Sequence, residues 1–157
     1  MIHLLVGVQG SGKSTFAKQF SKECNCEVVS TDEIRKTNPN ISEKEVWPTV
    51  YQTLAKALNE NRDAIFDATS ISKKVRKRFF DEVGKYCDEV KAIAYYFKTD
   101  VNECVKRVEQ RNKGENEIFI PLDVIYSYQE KLEIPETSEG FYEVKYVIDG
   151  KIYREEA

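Results

Sequence analysis

The sequence predicts an α/β protein, a three-layer α/β/α sandwich on a parallel sheet of about five strands, from three observations. Short apolar runs alternate with stretches of helical periodicity. A glycine-rich loop joins the first run to the first helix. Aspartates stand just past the second and third runs, at the strand ends where open α/β sheets gather their ligands. The runs are 2–6, 27–30, 64–66, 90–97 and 144–148, and right-handed crossovers would carry a helix between successive strands.

The first helix, 13–24, follows the glycine loop directly and turns its positive end toward whatever the loop binds. Ser42 and Glu45 have capping-box spacing, but Pro48 would then lie inside the helix at a cost of about 3 kcal/mol, so a break is expected there. A segment restarting at Pro48 would bury Val50, Leu54, Ala57 and Leu58, with Trp47 and Tyr51 packed nearby. Residues 72–86 carry the apolar stripe Val75, Phe79, Val83 and Tyr86, with Lys73, Lys74 and Lys77 on the other side. A helix over 101–111 buries Val101, Val105 and Val108 and sets Arg107 and Arg111 together at the edge of that stripe. A last helix covers 122–132, and Asp149 and Gly150 can turn the final strand into a hairpin with 151–153.

At 157 residues, 41% of them hydrophobic and 32% charged, the chain fits one domain spanning 1–157, with neither a disordered-type composition nor an apolar run long enough to cross a membrane. The start lacks a basic flank and a small-residue cleavage site, so a cytoplasmic location is expected. Cys24, Cys26, Cys87 and Cys104 match no metal-ligand spacing and are expected as reduced thiols. His3 is the single histidine and lies within the first strand, which removes a histidine zinc site and a Ser-His-Asp triad and leaves acid-base work to carboxylates. A net charge of −3 argues against broad coating of nucleic acid, though not against gripping one end.

Residues 7–14, GVQGSGKS, satisfy the pattern GxxxxGK[ST] in the strand-to-helix setting that the pattern requires. Gly7, Gly10 and Gly12 let the backbone N–H groups of a loop that includes Gln9 and Ser11 turn inward around phosphate oxygens. Lys13 neutralises the β and γ groups, the Ser14 hydroxyl is a ligand for Mg2+, and Thr15 can reach the α-phosphate. The loop therefore predicts ATP with Mg2+, but not the reaction, because switches, motors and kinases share it.

For phosphoryl transfer to a hydroxyl, Asp32 can accept the proton and align the nucleophile, with Arg35 one helical turn on sharing the site; capping the following helix is the competing role for Asp32. Asp67, followed by Ala68 and Thr69, stands at the next strand end, where it can orient a metal-bound water, contact the acceptor or cap a helix. Arg107 and Arg111 suit a lid that closes on the triphosphate as charge builds, against a plain surface pair of Arg107 with Glu103. The basic run 73–78, KKVRKR, is either a solvated helix face or a grip on a few phosphates of a polynucleotide.

Taken together, GVQGSGKSTFAKQF, VVSTDEIR, AIFDATS and CVKRVEQRN followed by IPLDVI resemble the kinase domain of phage-type polynucleotide 5′-kinase, over most of residues 1–132. The resemblance implies an adenylate-kinase-like P-loop NTPase fold and transfer of the ATP γ-phosphate to a 5′-hydroxyl end of DNA or RNA. It implies that Asp32 is the general base and that Arg35 binds acceptor phosphate; Asp67 and Thr69, at the strand end, are counted with them as acceptor-binding candidates from their position. It further implies that Arg111 is the first arginine of a lid pattern RNxxR. The second position of that pattern is Glu115, a departure for which Arg107 or Lys113 would have to substitute. Zeta-type toxins and small-metabolite kinases look similar in the P-loop and in DxxR, so a small-molecule acceptor is the competing reading. A nucleotide-binding module without catalysis, for which Glu115 is the best sequence argument, is a third.

Overall fold

The computed structural model describes residues 1–114 and 119–154. Its elements in chain order are β1 (Ile2–Val6), α1 (Lys13–Cys24), β2 (Glu27–Val29), α2 (Thr31–Thr37), α3 (Glu43–Asn59), β3 (Ala64–Phe66), α4 (Lys73–Val83), β4 (Ala92–Phe97), α5 (Val101–Asn112), α6 (Leu122–Lys131), β5 (Glu143–Ile148) and β6 (Lys151–Tyr153). A short 3-10 turn, Thr137–Glu139, precedes β5. No helix among the described residues is long and apolar enough to cross a membrane.

The strands form one sheet in the order β2-β3-β1-β4-β5-β6. The first five pair in parallel, and β6 returns antiparallel on β5 through the Asp149–Gly150 turn, giving six strands where about five were expected. Alternation along the central strand divides the core. Ile2, Leu4 and Val6 pack with residues of α3 and α4 such as Val50, Leu54, Phe79 and Val83. Leu5 meets Ala17, Phe16 and Phe20 of α1 on the opposite face. A third cluster, Val8, Cys104, Val108 and Ile125, clamps α5 and α6 against the loop after β1. The chain is thus the expected three-layer α/β/α sandwich, with the carboxyl ends of β1, β2, β3 and β4 opening on one side.

Several local expectations fail for identifiable reasons. Helix α3 runs unbroken through Pro48. Val46, Val50 and Leu54 are fully buried on its inner face, and at about 1.5–3 kcal/mol each they outweigh the proline's cost of about 3 kcal/mol. Pro48 and Lys44, whose carbonyl loses its helical partner, lie on the exposed side, where water can serve that carbonyl. Ser42 is the residue before that helix, but its side chain makes no capping bond. In α4 the inward stripe is Arg76, Phe79 and Val83, while Val75 is exposed, and Tyr86, past the end of the helix, is exposed too. Arg76 has no exposed surface, because its Nε and Nη2 donate to the Glu139 carboxylate at 2.7 and 3.2 Å and its Nη1 donates to the Ser70 carbonyl at 2.8 Å. The Cys24 and Cys26 sulfurs lie within bonding distance across the left-handed turn at Asn25, so this pair is a disulfide rather than two thiols; Cys87 and Cys104 are free.

Candidate active site

The loop after β1 is held from three directions. Gly7 N–H donates to the Thr69 carbonyl at 3.0 Å, the Thr99 hydroxyl donates to the Ser11 carbonyl at 3.1 Å, and Arg107 Nη1 donates to the Gly10 carbonyl at 3.1 Å. Gly10 has a φ of +80° and lies so close to α5 that a Cβ there would come within 2.5 Å of the Cys104 carbonyl oxygen. Gly12, at φ +98°, turns the chain into α1. These two glycines are therefore required by backbone geometry as well as by the phosphate pattern.

Lys13 begins α1 with its ammonium tucked into the loop, donating to the carbonyls of Gly7 at 2.8 Å and Val8 at 2.9 Å. Burial lowers its pKa from 10.5 to about 8, opposed by the nearby Asp67 carboxylate and reinforced by the Arg111 cation. The Ser14 hydroxyl donates to Asp67 Oδ2 at 3.2 Å. Burial raises the Asp67 pKa, while the Lys13 cation and the Ser14 hydroxyl oppose that rise.

This Ser14–Asp67 pair offers hard oxygen donors and little else: no cluster of three or more His, Cys, Asp or Glu side chains suited to a metal occurs among the described residues. Such a sparse set suits Mg2+, which keeps water and substrate phosphates as most of its ligands rather than an all-protein cage. The residues present therefore fit that ion, which Ser14 would hold with Asp67 behind it.

Two cavities flank the loop. One, of about 580 Å³, lies between α1 and the β5–β6 turn and is lined by Thr15, Phe16, Phe20, Thr99, Arg107 and Ile152 among others. The other, of about 740 Å³, lies between the loop and α2, α3 and α4, and its walls include Gln9, Asp32, Asp67, Thr69, Trp47 and Arg78. Gly12 and Arg111 line both. A triphosphate threaded over the loop from the first cavity would present its end to the second beside an arginine. Gln9 Oε1 is buried there without a hydrogen-bond partner, an acceptor in need of a donor.

Asp32 projects from the first turn of α2 into the second cavity, with a side chain about 63% exposed. Its capping role is taken by Ser30, whose hydroxyl accepts from Glu33 N–H at 3.0 Å. Arg35 is brought beside Asp32, at 3.3 Å, but its main engagement is with Glu43 of α3 at 3.1 and 3.0 Å, and it is not among the residues lining the cavity. Arg107 pairs with Glu103 at 3.5 Å as well as holding Gly10, so it serves the surface pair and the loop together. Lys113 is exposed just past α5, and Glu115 lies outside the described residues. Of the basic run, Lys73 and Lys77 pair with Glu136 and Asp81, Arg76 is buried, and Arg78 faces the second cavity.

Sequence reading missed the aromatic lining of this second cavity. Trp47 and Tyr51 are expected as packing residues, which holds for the buried Tyr51, while the part-exposed Trp47 also lines the cavity; their spacing of four on one helix face was the available signal. It also missed Phe16, Phe20 and Ile152 around the first, because apolar residues in α1 and the hairpin read equally well as core.

A family model described as an AAA domain matches residues 2–135. An L-seryl-tRNA(Sec) kinase of Methanococcus maripaludis is 30% identical over 151 residues, covering 87% of this chain and 54% of that protein, so the chain spans about half the length of the curated relative it matches. The structure of Chaetomium thermophilum Kti12 in complex with ADP-AlF3 superimposes with a TM-score of 0.70 at 15% identity, over 95% of this chain and 89% of that one. A fungal RNA kinase gives a TM-score of 0.64 at 18% identity, over 99% and 76%. The two structural likenesses are of fold.

Proposed function

The chain belongs to the AAA-domain family of P-loop kinases, and from that premise we propose that it transfers the γ-phosphoryl group of ATP to a 5′-hydroxyl end of RNA or DNA. The observation that carries the reading is the meeting of two cavities at Gly12 and Arg111, one able to take a nucleoside and the other bearing Asp32 and Asp67. The tRNA kinase relative supports a nucleic-acid acceptor.

In this reading the loop N–H groups and Lys13 hold the β- and γ-phosphates. Bound at Ser14, Mg2+ supplies further neutralisation of the phosphate charge. The acceptor oxygen bonds to the γ-phosphorus as the bond to the β–γ bridging oxygen breaks, leaving that electron pair on ADP, and the hydroxyl proton passes to the Asp32 carboxylate. Asp32 suits this role through its exposure to the acceptor cavity, whereas Asp67, half-buried and bonded by Ser14, suits orientation of the metal site. Arg111 stands where charge develops between donor and acceptor. Arg107, through Gly10, keeps the loop in shape.

The size of the second cavity favours one other reading, a small-molecule acceptor, since cavities of about 300–1,000 Å³ enclose ligands of that class. Labelled ATP offered with a 5′-hydroxyl oligonucleotide, its 5′-phosphorylated twin, nucleosides and sugars decides between them. The proposal expects label on the 5′-hydroxyl oligonucleotide alone. Label confined to nucleosides or sugars would establish the small-molecule reading, and no transfer at all would leave a binding module. Asp32→Asn should lower the single-turnover rate by about 10²- to 10⁴-fold while nucleotide binding persists.

A further inference from the structure

The acceptor cavity carries an aromatic surface that phosphoryl transfer itself does not use. Trp47, the only tryptophan of the chain, lines that cavity with 42% of its surface exposed, although it sits on the same helix as the buried Val46 and Val50. Its ring lies 5.7 Å from that of Tyr51, inclined by 31°, and it rests edge-on against Phe66 of β3 at 6.3 Å and 83°. Phe66 is in turn stacked on Phe79 of α4 at 5.7 Å. The indole is thus braced from below by the core while its surface remains open. Val75, which the helical pattern places in the core, is instead 41% exposed and lines the same cavity from α4.

The chemistry of the walls identifies an occupant. Near the loop the cavity has the carboxylates Asp32 and Asp67, suited to a hydroxyl. Farther out it has a braced aromatic surface, suited to a planar ring. Apart from Lys13 and Arg111 near the phosphate loop, Arg78 is the one cation among the described residues lining it, and the carboxylate of Glu82, one turn on, lines it as well. A hydroxyl, a planar ring and an anion are the three parts of a terminal nucleotide: its 5′-OH, its base and the phosphate that follows.

We propose that Trp47, backed by the buried ring of Tyr51, forms a stacking platform for the base of the acceptor's 5′-terminal nucleotide, so that Trp47 is a specificity-determining residue for acceptor ends. The proposal rests on the nucleic-acid reading above and adds the requirement that the end carry a base. Stacking on an aromatic face tolerates any base, so the preference expected is for base over no base rather than for one sequence.

Trp47 also provides the readout. With Mg2+ and ADP present, a 5′-hydroxyl oligonucleotide with a base at its first position should quench the tryptophan emission of the wild-type protein, and the same oligonucleotide with an abasic first position should not. In kinase assays the abasic end should show a KM about tenfold higher for the wild type, the two KM values should converge in Trp47→Ala, and Trp47→Phe should restore most of the gap. Because Trp47 is already part-exposed, unchanged thermal unfolding of the variants would separate stacking from folding. Transfer to both ends with equal KM, or equal quenching by both, would overturn the platform and leave the kinase reading intact. Absence of transfer to either end would overturn both.

Discussion

The ammonium of Lys13 is satisfied inside its own loop by the carbonyls of Gly7 and Val8, so its titration reports on the state of the site. With its pKa brought from 10.5 down to about 8 by burial, the folded chain holds fewer protons than the unfolded chain between those values. The contribution of this group to stability therefore rises with pH from about 8 to 10.5 in the nucleotide-free protein. A triphosphate favours the charged ammonium, so nucleotide affinity should fall as pH climbs through 8, with uptake of a proton on binding. Calorimetry at pH 9 in two buffers of different ionisation enthalpy measures that uptake, and Lys13→Met should abolish it. At this scale the glycine loop was legible as a strand-to-helix turn, because the pattern fixes residue types at fixed spacing between β1 and α1. Asp32 and Asp67 were legible as strand-end residues. The engagement of Arg35 was not, since it depends on Glu43 across a turn whose path no local pattern gives.

Helix α3 and helix α4 show what periodicity can and cannot tell. Pro48 sits in a helix that long-range packing imposes, so Pro48→Ala should stabilise the protein by about 1–3 kcal/mol in urea unfolding by restoring a donor and removing the ring clash. Arg76 joins α4 to the 3-10 turn before β5 through Glu139, and Arg76→Ala should cost about 3–5 kcal/mol by leaving that largely buried carboxylate without its cation. Replacing both partners together, as Arg76→Met with Glu139→Leu, should cost far less. Reading KKVRKR as an outward basic face holds for Lys73, Lys74, Lys77 and Arg78 but fails at Arg76, which meets a carboxylate 63 residues away. Phe79 and Val83 keep the inward stripe, Arg76 takes the place expected of Val75, and Val75 instead lines the second cavity.

At the scale of the molecule, the order of alternating elements gave the layers and the parallel sheet directly, because right-handed crossovers leave few alternatives. The two cavities were not legible, since each is bounded by three or more elements distant in sequence. Their meeting at Gly12 and Arg111 makes a global prediction: a nucleotide that bridges them should stabilise the whole chain, by about 2.7 kcal/mol at a hundredfold excess over Kd. Thermal unfolding with ATP, with and without EDTA, measures this, and removing the metal should shrink the shift.

Gly10 is gripped twice by α5, through the guanidinium of Arg107 on its carbonyl and through the backbone of Cys104 against its α-carbon. Loop and helix are therefore tied at two points, and Arg111 follows Arg107 by one turn on the same helix. A side chain at position 10 would therefore push on the backbone of α5, and through that helix shift Arg107 and Arg111 along with the loop.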